Sequence, residues 1–114
     1  MEFESYKQDR FCIVEVKGRL DAVTAPEFEA ACAKRIELGE STFMMDFKGL
    51  VYISSAGLRA LLVIAKRLKS NNGSISFFAL SPMVESVFSM SGFGSMFALH
   101  DSLENALAGS TGGS

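Results

Sequence analysis

Residues 53 to 59 read I-S-S-A-G-L-R, with two hydroxyls side by side at Ser54 and Ser55. They stand between an apolar stretch and a segment with strong helical periodicity. A serine in that place can attack a substrate, accept a phosphate, or cap a helix. Attack needs a base. The chain has one histidine, His100, and no G-x-S-x-G surrounds either serine, so a hydrolase reading fails. Capping needs only a serine just before the first helical turn, where its oxygen accepts a backbone N–H. Phosphate acceptance needs an exposed hydroxyl and suits a helix start, where free N–H groups and the dipole favour negative charge. The residues alone leave capping and phosphate acceptance both open.

Two neighbours of these serines break local rules. Gly57 falls in the first helical turn, where glycine costs about 0.5–1 kcal/mol relative to alanine; a close approach to the backbone would explain it. Arg59 places a cation near the positive end of the helix dipole. It follows Ser55 by four residues and shares its helix face. Local rules broken together mark a functional site. Lys48 and Arg59 can be read as framing the site or, as is more common for such residues, as solvated surface charge.

The elements that must hold this segment follow from pattern. F-C-I-V-E-V-K, Phe11 to Lys17, predicts a strand with Cys12, Val14 and Val16 on one face and Phe11, Ile13 and Glu15 on the other. Phe3 to Lys7 is expected to pair with it through a turn at Gln8-Asp9-Arg10. T-A-P-E, Thr24 to Glu27, reads as a capping box opening a helix that stops at Gly39. Phe28, Ala31, Cys32 and either Arg35 or Ile36 would form its buried stripe. Thr42 to Phe47 is apolar enough for a strand covered on both faces. A second helix is expected over Ser55–Ser70, burying Leu58, Leu61, Leu62, Ala65 and Leu68. Ile75 to Leu80 predicts another strand. Ser81-Pro82 opens a third helix that stops near Gly92. Ser95 to Leu99 predicts a short last strand, and Asp101-Ser102-Leu103-Glu104 a helix to about Ala108.

Strands alternating with helices imply an α/β fold with a mostly parallel sheet. At 114 residues the chain suits one domain, expected over 1–108, with G-S-T-G-G-S at 109–114 a flexible tail. Eleven basic and thirteen acidic residues give a net charge of −2, which offers no footprint for direct nucleic-acid binding. No apolar run is long enough for membrane insertion. Cys12 and Cys32 have no metal-site spacing, and a chain with a full core needs no disulfide, so a reducing, cytoplasmic setting is expected. No G-x-x-x-x-G-K-[ST] and no Mg²⁺-holding carboxylate pair support a nucleotide enzyme. No cofactor is implied. F-S-M-S-G-F-G-S-M-F, Phe88 to Phe97, is rich in Phe and Met; core packing is its default reading, and any exposed part would suit an adaptable contact surface.

Gly18-Arg19-Leu20-Asp21, then Asp46-Phe47-Lys48-Gly49-Leu50 with Ile53-Ser54-Ser55-Ala56-Gly57-Leu58, then Ser81-Pro82 with Met90-Ser91-Gly92-Phe93, occur in order along the chain. In this the chain resembles the STAS domain family of bacterial anti-sigma factor antagonists, from about Phe3 to Ala108. The resemblance implies a STAS-like α/β fold, a mixed, mostly parallel sheet of four to five strands with about four helices. It implies a non-enzymatic regulator that binds an anti-sigma factor serine kinase and so frees a sigma factor for transcription. Phosphorylation of one serine switches that binding off, and a phosphoserine phosphatase restores it. Aligning Gly57 with the family glycine places the acceptor at Ser55. Ser54 stands where the family usually has Asp, which makes it a second candidate. The resemblance also implicates Asp21 in partner contact; Ser54, Ala56, Gly57 and Arg59 are expected to share that contact. The competing expectation is a STAS module serving as a scaffold or accessory subunit of a signalling or transport complex, with Ser55 merely capping.

Overall fold

A computed structural model of the chain describes residues 1–112. The chain enters as a hairpin. β1 (Glu2–Gln8) and β2 (Phe11–Leu20) pair antiparallel from Glu2↔Lys17 to Gln8↔Phe11. Asp9 takes the left-handed conformation that the two-residue turn demands, at φ 56°. α1 (Ala25–Glu37), β3 (Thr42–Asp46), β4 (Leu50–Ile53) and α2 (Ser55–Ser70) follow. β5 (Ser74–Phe78), α3 (Pro82–Ser91), α4 (Phe93–Met96), β6 (Ala98–His100) and α5 (Leu103–Gly112) complete the order.

The strands run β1-β2-β3-β5-β6, with β4 pairing β2 off this path. All pairings but the first are parallel. β2 is long enough to serve two neighbours in turn. Its residues Cys12–Glu15 pair with β3; Gly18, Arg19 and Leu20 pair with Leu50, Tyr52 and Ile53 of β4, with an irregularity between Gly18 and Arg19. Gly18 sits at φ 99°, where only glycine rests without strain, so the strand can change partners there.

The period-two reading of β2 holds. Cys12, Val14 and Val16 join the main core under α1, α2 and α3. Phe11 and Ile13 face the other side, with Met44, Phe78 and Ala106 of α5. The buried run Phe43-Met44-Met45 of β3 divides the same way, as a strand covered on both faces must. Phe47, Phe77, Phe88, Phe93 and Phe97 stack edge-on or tilted, with centroids 5.3–6.3 Å apart, so most of the Phe-rich segment is core.

Several details of the expected elements are corrected. Thr24 forms no capping box; its hydroxyl turns back into the preceding loop. The α1 stripe is Ala25, Phe28, Cys32 and Ile36, leaving Ala31 at its margin. The α2 stripe is Gly57, Ala60, Leu61, Ile64 and Leu68, rotated from the leucine-based reading, with Leu58 and Leu62 half-buried beside it. The segment after Gly92 first makes one helical turn, α4, so the last strand begins at Ala98 rather than Ser95. With β4 counted, the sheet has six strands, and α4 brings the helices among the described residues to five. α5 itself continues past Ala108 to Gly112. The final two residues of the expected tail lie outside the described residues.

Candidate functional site at the start of helix α2

β4 delivers the chain to α2. The Ser54 N–H donates to the Leu20 carbonyl at 3.0 Å, continuing the β2–β4 ladder by one residue. Ser54 then leaves extended structure and caps the helix. Its Oγ accepts the Gly57 N–H at 3.3 Å, and its carbonyl accepts the Leu58 N–H at 2.9 Å. Ser54 is half-buried. Ser55, at the first helical position, is exposed. Ser54 thus has the capping geometry, and Ser55 has the accessible hydroxyl. The Ser55 and Ala56 N–H groups have no backbone or side-chain acceptor among the described residues, which leaves two donors beside the Ser55 hydroxyl.

Gly57 is buried. A Cβ there would lie 2.4 Å from the Leu20 carbonyl oxygen and 2.8 Å from Ile53 Cγ1. The close approach that the sequence implied is thus internal: the helix start rests on the end of β2. Gly57 sets the height of Ser55 above the sheet and offers little surface of its own. Ala56 is half-buried, and Arg59 is exposed one turn beyond Ser55.

The loop after β2 lies against this helix start through Leu20. Asp21 organises it. Its Oδ1 accepts the Val23 N–H at 3.1 Å, the Thr24 N–H at 3.2 Å and the Thr24 hydroxyl at 3.3 Å. Thr24 Oγ1 in turn accepts the Asp21 N–H at 3.0 Å, and its single proton is shared between Asp21 Oδ1 and the nearer Arg19 carbonyl at 2.8 Å. The Thr24 backbone hydrogen bond is the main cause holding the Asp21 carboxyl below its usual range, helped by Val23 and by Arg19 at 3.7 Å. The carboxylate is thus committed largely within its own loop. The Arg19 guanidinium lies over the Tyr52 ring at 4.1 Å, which ties the loop base to β4.

Sequence reasoning passed over Thr24 as a loop tie, the Arg19–Tyr52 stack, and two exposed apolar side chains, Val23 on the Asp21 loop and Val51 on β4. The alternation Leu50 buried, Val51 exposed, Ile53 buried carries the Val51 signal, but four residues are too few to fix the face in advance. Lys48 does not join the site: it sits in the β3–β4 turn, lining a groove with Glu15, Lys17 and Asp46. Among the described residues no group of His, Cys, Asp and Glu is arranged to hold a metal ion. No described helix is long and apolar enough to cross a membrane.

The family model described as STAS domain matches residues 2–106. BtrV of Bordetella bronchiseptica, a candidate anti-sigma factor antagonist, is 37% identical over 108 residues, covering 95% of this chain and 93% of that protein. The unphosphorylated form of the anti-sigma factor antagonist SpoIIAA superposes with a TM-score of 0.84 at 24% identity, covering 97% of each chain. The phosphorylated form of SpoIIAA from Bacillus superposes at 0.74 with 22% identity, over 94% of this chain and 97% of that one. Both likenesses are of fold.

Proposed function

The chain belongs to the STAS domain family, and on that premise we propose that it is an anti-sigma factor antagonist switched by phosphorylation of Ser55. It acts by binding rather than by catalysis. Its partner is an anti-sigma factor. The finer reading is that this partner is also a serine kinase, that the complex forms in the cytoplasm while Ser55 is unmodified, and that a phosphoserine phosphatase reverses the switch.

The observation that carries this reading is the division of labour between the two serines. Ser54 is engaged as the cap, while Ser55 is exposed beside two free N–H donors. A phosphate there adds about −1.5 to −2 charges and strong acceptor oxygens. The helix start receives them without rearrangement, because its dipole and free donors favour an anion. A partner surface packed on the same spot meets desolvated charge instead. A loss of about 3 kcal/mol weakens binding roughly a hundredfold. Arg59, exposed one turn beyond Ser55, offers cationic contact beside the serine, while Asp21 holds the neighbouring loop in shape.

Phosphosite mapping by mass spectrometry on protein from its native cells tests the switch, alongside binding of the purified anti-sigma partner. Phosphate is expected on Ser55 and not on Ser54. Ser55→Asp should weaken binding roughly a hundredfold while Ser55→Ala retains it. Amide shifts on phosphorylation should stay local to the Asp21 loop and the first turns of α2. No phosphate in any growth phase, with Ser55→Asp binding as tightly as the parent, would overturn the switch and leave a scaffold.

A further inference from the structure

The other end of α2 carries a second feature. Between its last turns, the start of β5 and the α4–β6 link runs an open groove of about 490 Å³. Leu62, Ile75 and Phe97 give it an apolar lining, and Met96 stands on its edge, 58% exposed. Met90, at the end of the neighbouring α3, is 88% exposed. These are the methionines of the Phe- and Met-rich segment that the core does not absorb. Methionine is unbranched and polarizable, and recurs on surfaces that mould to a partner.

Lys66 and Lys69 stand on the α2 side of the groove. Neither has a carboxylate partner among the described residues, whereas Arg67 on the same helix pairs with Glu37 at 3.7 Å. No acidic residue lines the groove. The helix dipole favours cations at this end of α2, but it gives no reason for an apolar channel beside them. From Leu62 to Lys69 the groove follows about 10 Å of helix, or two turns. Its openness argues against a small ligand, since small-molecule sites enclose most of what they bind.

We propose that this groove docks an acidic amphipathic helix of a protein partner. Apolar side chains at i, i+3, i+4 and i+7 would lie over Leu62, Ile75 and Phe97, and carboxylates on the flank would meet Lys66 and Lys69. Lys69 lies about 21 Å along the helix axis from Ser55. The contact is therefore independent of the Ser55 switch, and phosphorylation at the other end leaves it intact.

The test is titration of isotope-labelled protein with a fluorescent 15-residue peptide carrying leucines at that spacing and glutamates elsewhere. A peptide with lysine replacing every glutamate is the comparison. Saturable binding below about 1 mM is expected, with amide shifts at Leu62, Lys66, Lys69, Ile75 and Phe97. The double variant Lys66→Glu/Lys69→Glu, at exposed positions that leave the core untouched, should weaken binding about tenfold. Ala65→Trp should fill the groove and abolish it, with an unchanged circular dichroism spectrum showing the fold intact. Ser55→Asp should bind like the parent. The proposal is overturned by lack of saturation, by equal binding of the lysine peptide, by an unchanged double variant, or by the same shifts with octyl glucoside, which would mark a merely greasy patch.

Discussion

Replacing Gly57 by alanine separates two accounts of this residue by sign. If the glycine were an exposed concession to an incoming partner, Gly57→Ala would stabilise the free protein by about 0.5–1 kcal/mol through helix propensity. The structure requires the opposite. The added Cβ would stand 2.4 Å from the Leu20 carbonyl oxygen and 3.1 Å from the Leu20 carbonyl carbon. Both are backbone atoms of a paired strand and cannot rotate away. Overpacking of this kind costs about 1–3 kcal/mol. The same carbonyl accepts the Ser54 N–H, so its displacement adds about 0.5–1.5 kcal/mol. Setting the propensity gain against these leaves a net loss of about 0.5–4 kcal/mol. At roughly 4 °C per kcal/mol for a chain of this size, the melting temperature falls by about 2–16 °C. Gly94→Ala is the matched control: it lies in α4, and its nearest Cβ neighbour is Ser89 Cα at 4.0 Å, which is ordinary contact. Thermal and urea unfolding of both variants decide the matter. A Gly57→Ala protein as stable as the parent, or more so, would refute the argument that the helix start rests on β2.

The serines should separate in the same assays. Ser54→Ala removes the α2 cap and should cost about 1 kcal/mol, whereas Ser55→Ala should change stability by under about 0.5 kcal/mol. Equal effects would remove the structural reason for choosing Ser55 as the acceptor. Burial raises the Cys32 thiol from 9.0 to about 12, and burial also raises Cys12. A pKa raised on folding contributes stability that is fully present below the unfolded value and declines as pH rises from about 9 toward 12. Neither thiol should react with Ellman's reagent at pH 8 until denaturant is added, and prompt native labelling would contradict the burial. The Asp21 carboxyl is held low, so its stabilising contribution is complete above the usual carboxylate range and is lost as pH falls through its folded value. Asp21→Ala should flatten that acid limb and speed amide exchange at Val23 and Thr24; unchanged exchange would mean the loop is held by something else.

What the sequence revealed depended on how each signal is encoded. Period-two alternation in Phe11–Val16 placed each side chain on its correct face, because a strand offers only two. Caps at Ser81 and stops at Gly39 and Gly92 were legible because backbone conformation there demands those residue types. The α2 stripe was read from its leucines and came out rotated. The contact line runs through Gly57 and Ala60, and small residues that permit close approach carry little hydrophobic signal. The oddity of Gly57 was visible, but its cause lay in Leu20, which only tertiary structure brings near. Likewise the bonds from Asp21 to Thr24 depend on a loop conformation that only the structure shows. α4 escaped notice because one turn containing Gly94 has no periodicity to detect.

The two margins of the sheet bear on how such a protein keeps company. A free strand edge is a row of unanswered peptide groups, and any stray chain of suitable pattern can zip onto it. On one margin, β1 places Glu2, Glu4, Ser5, Tyr6 and Lys7 in the open, so a copy laid alongside in register meets its own charges. On the other, β6 lasts only three residues before the chain turns away. Both features disfavour a growing ribbon. For the partner exchange proposed above, that matters: indiscriminate stickiness at the rim would never let go.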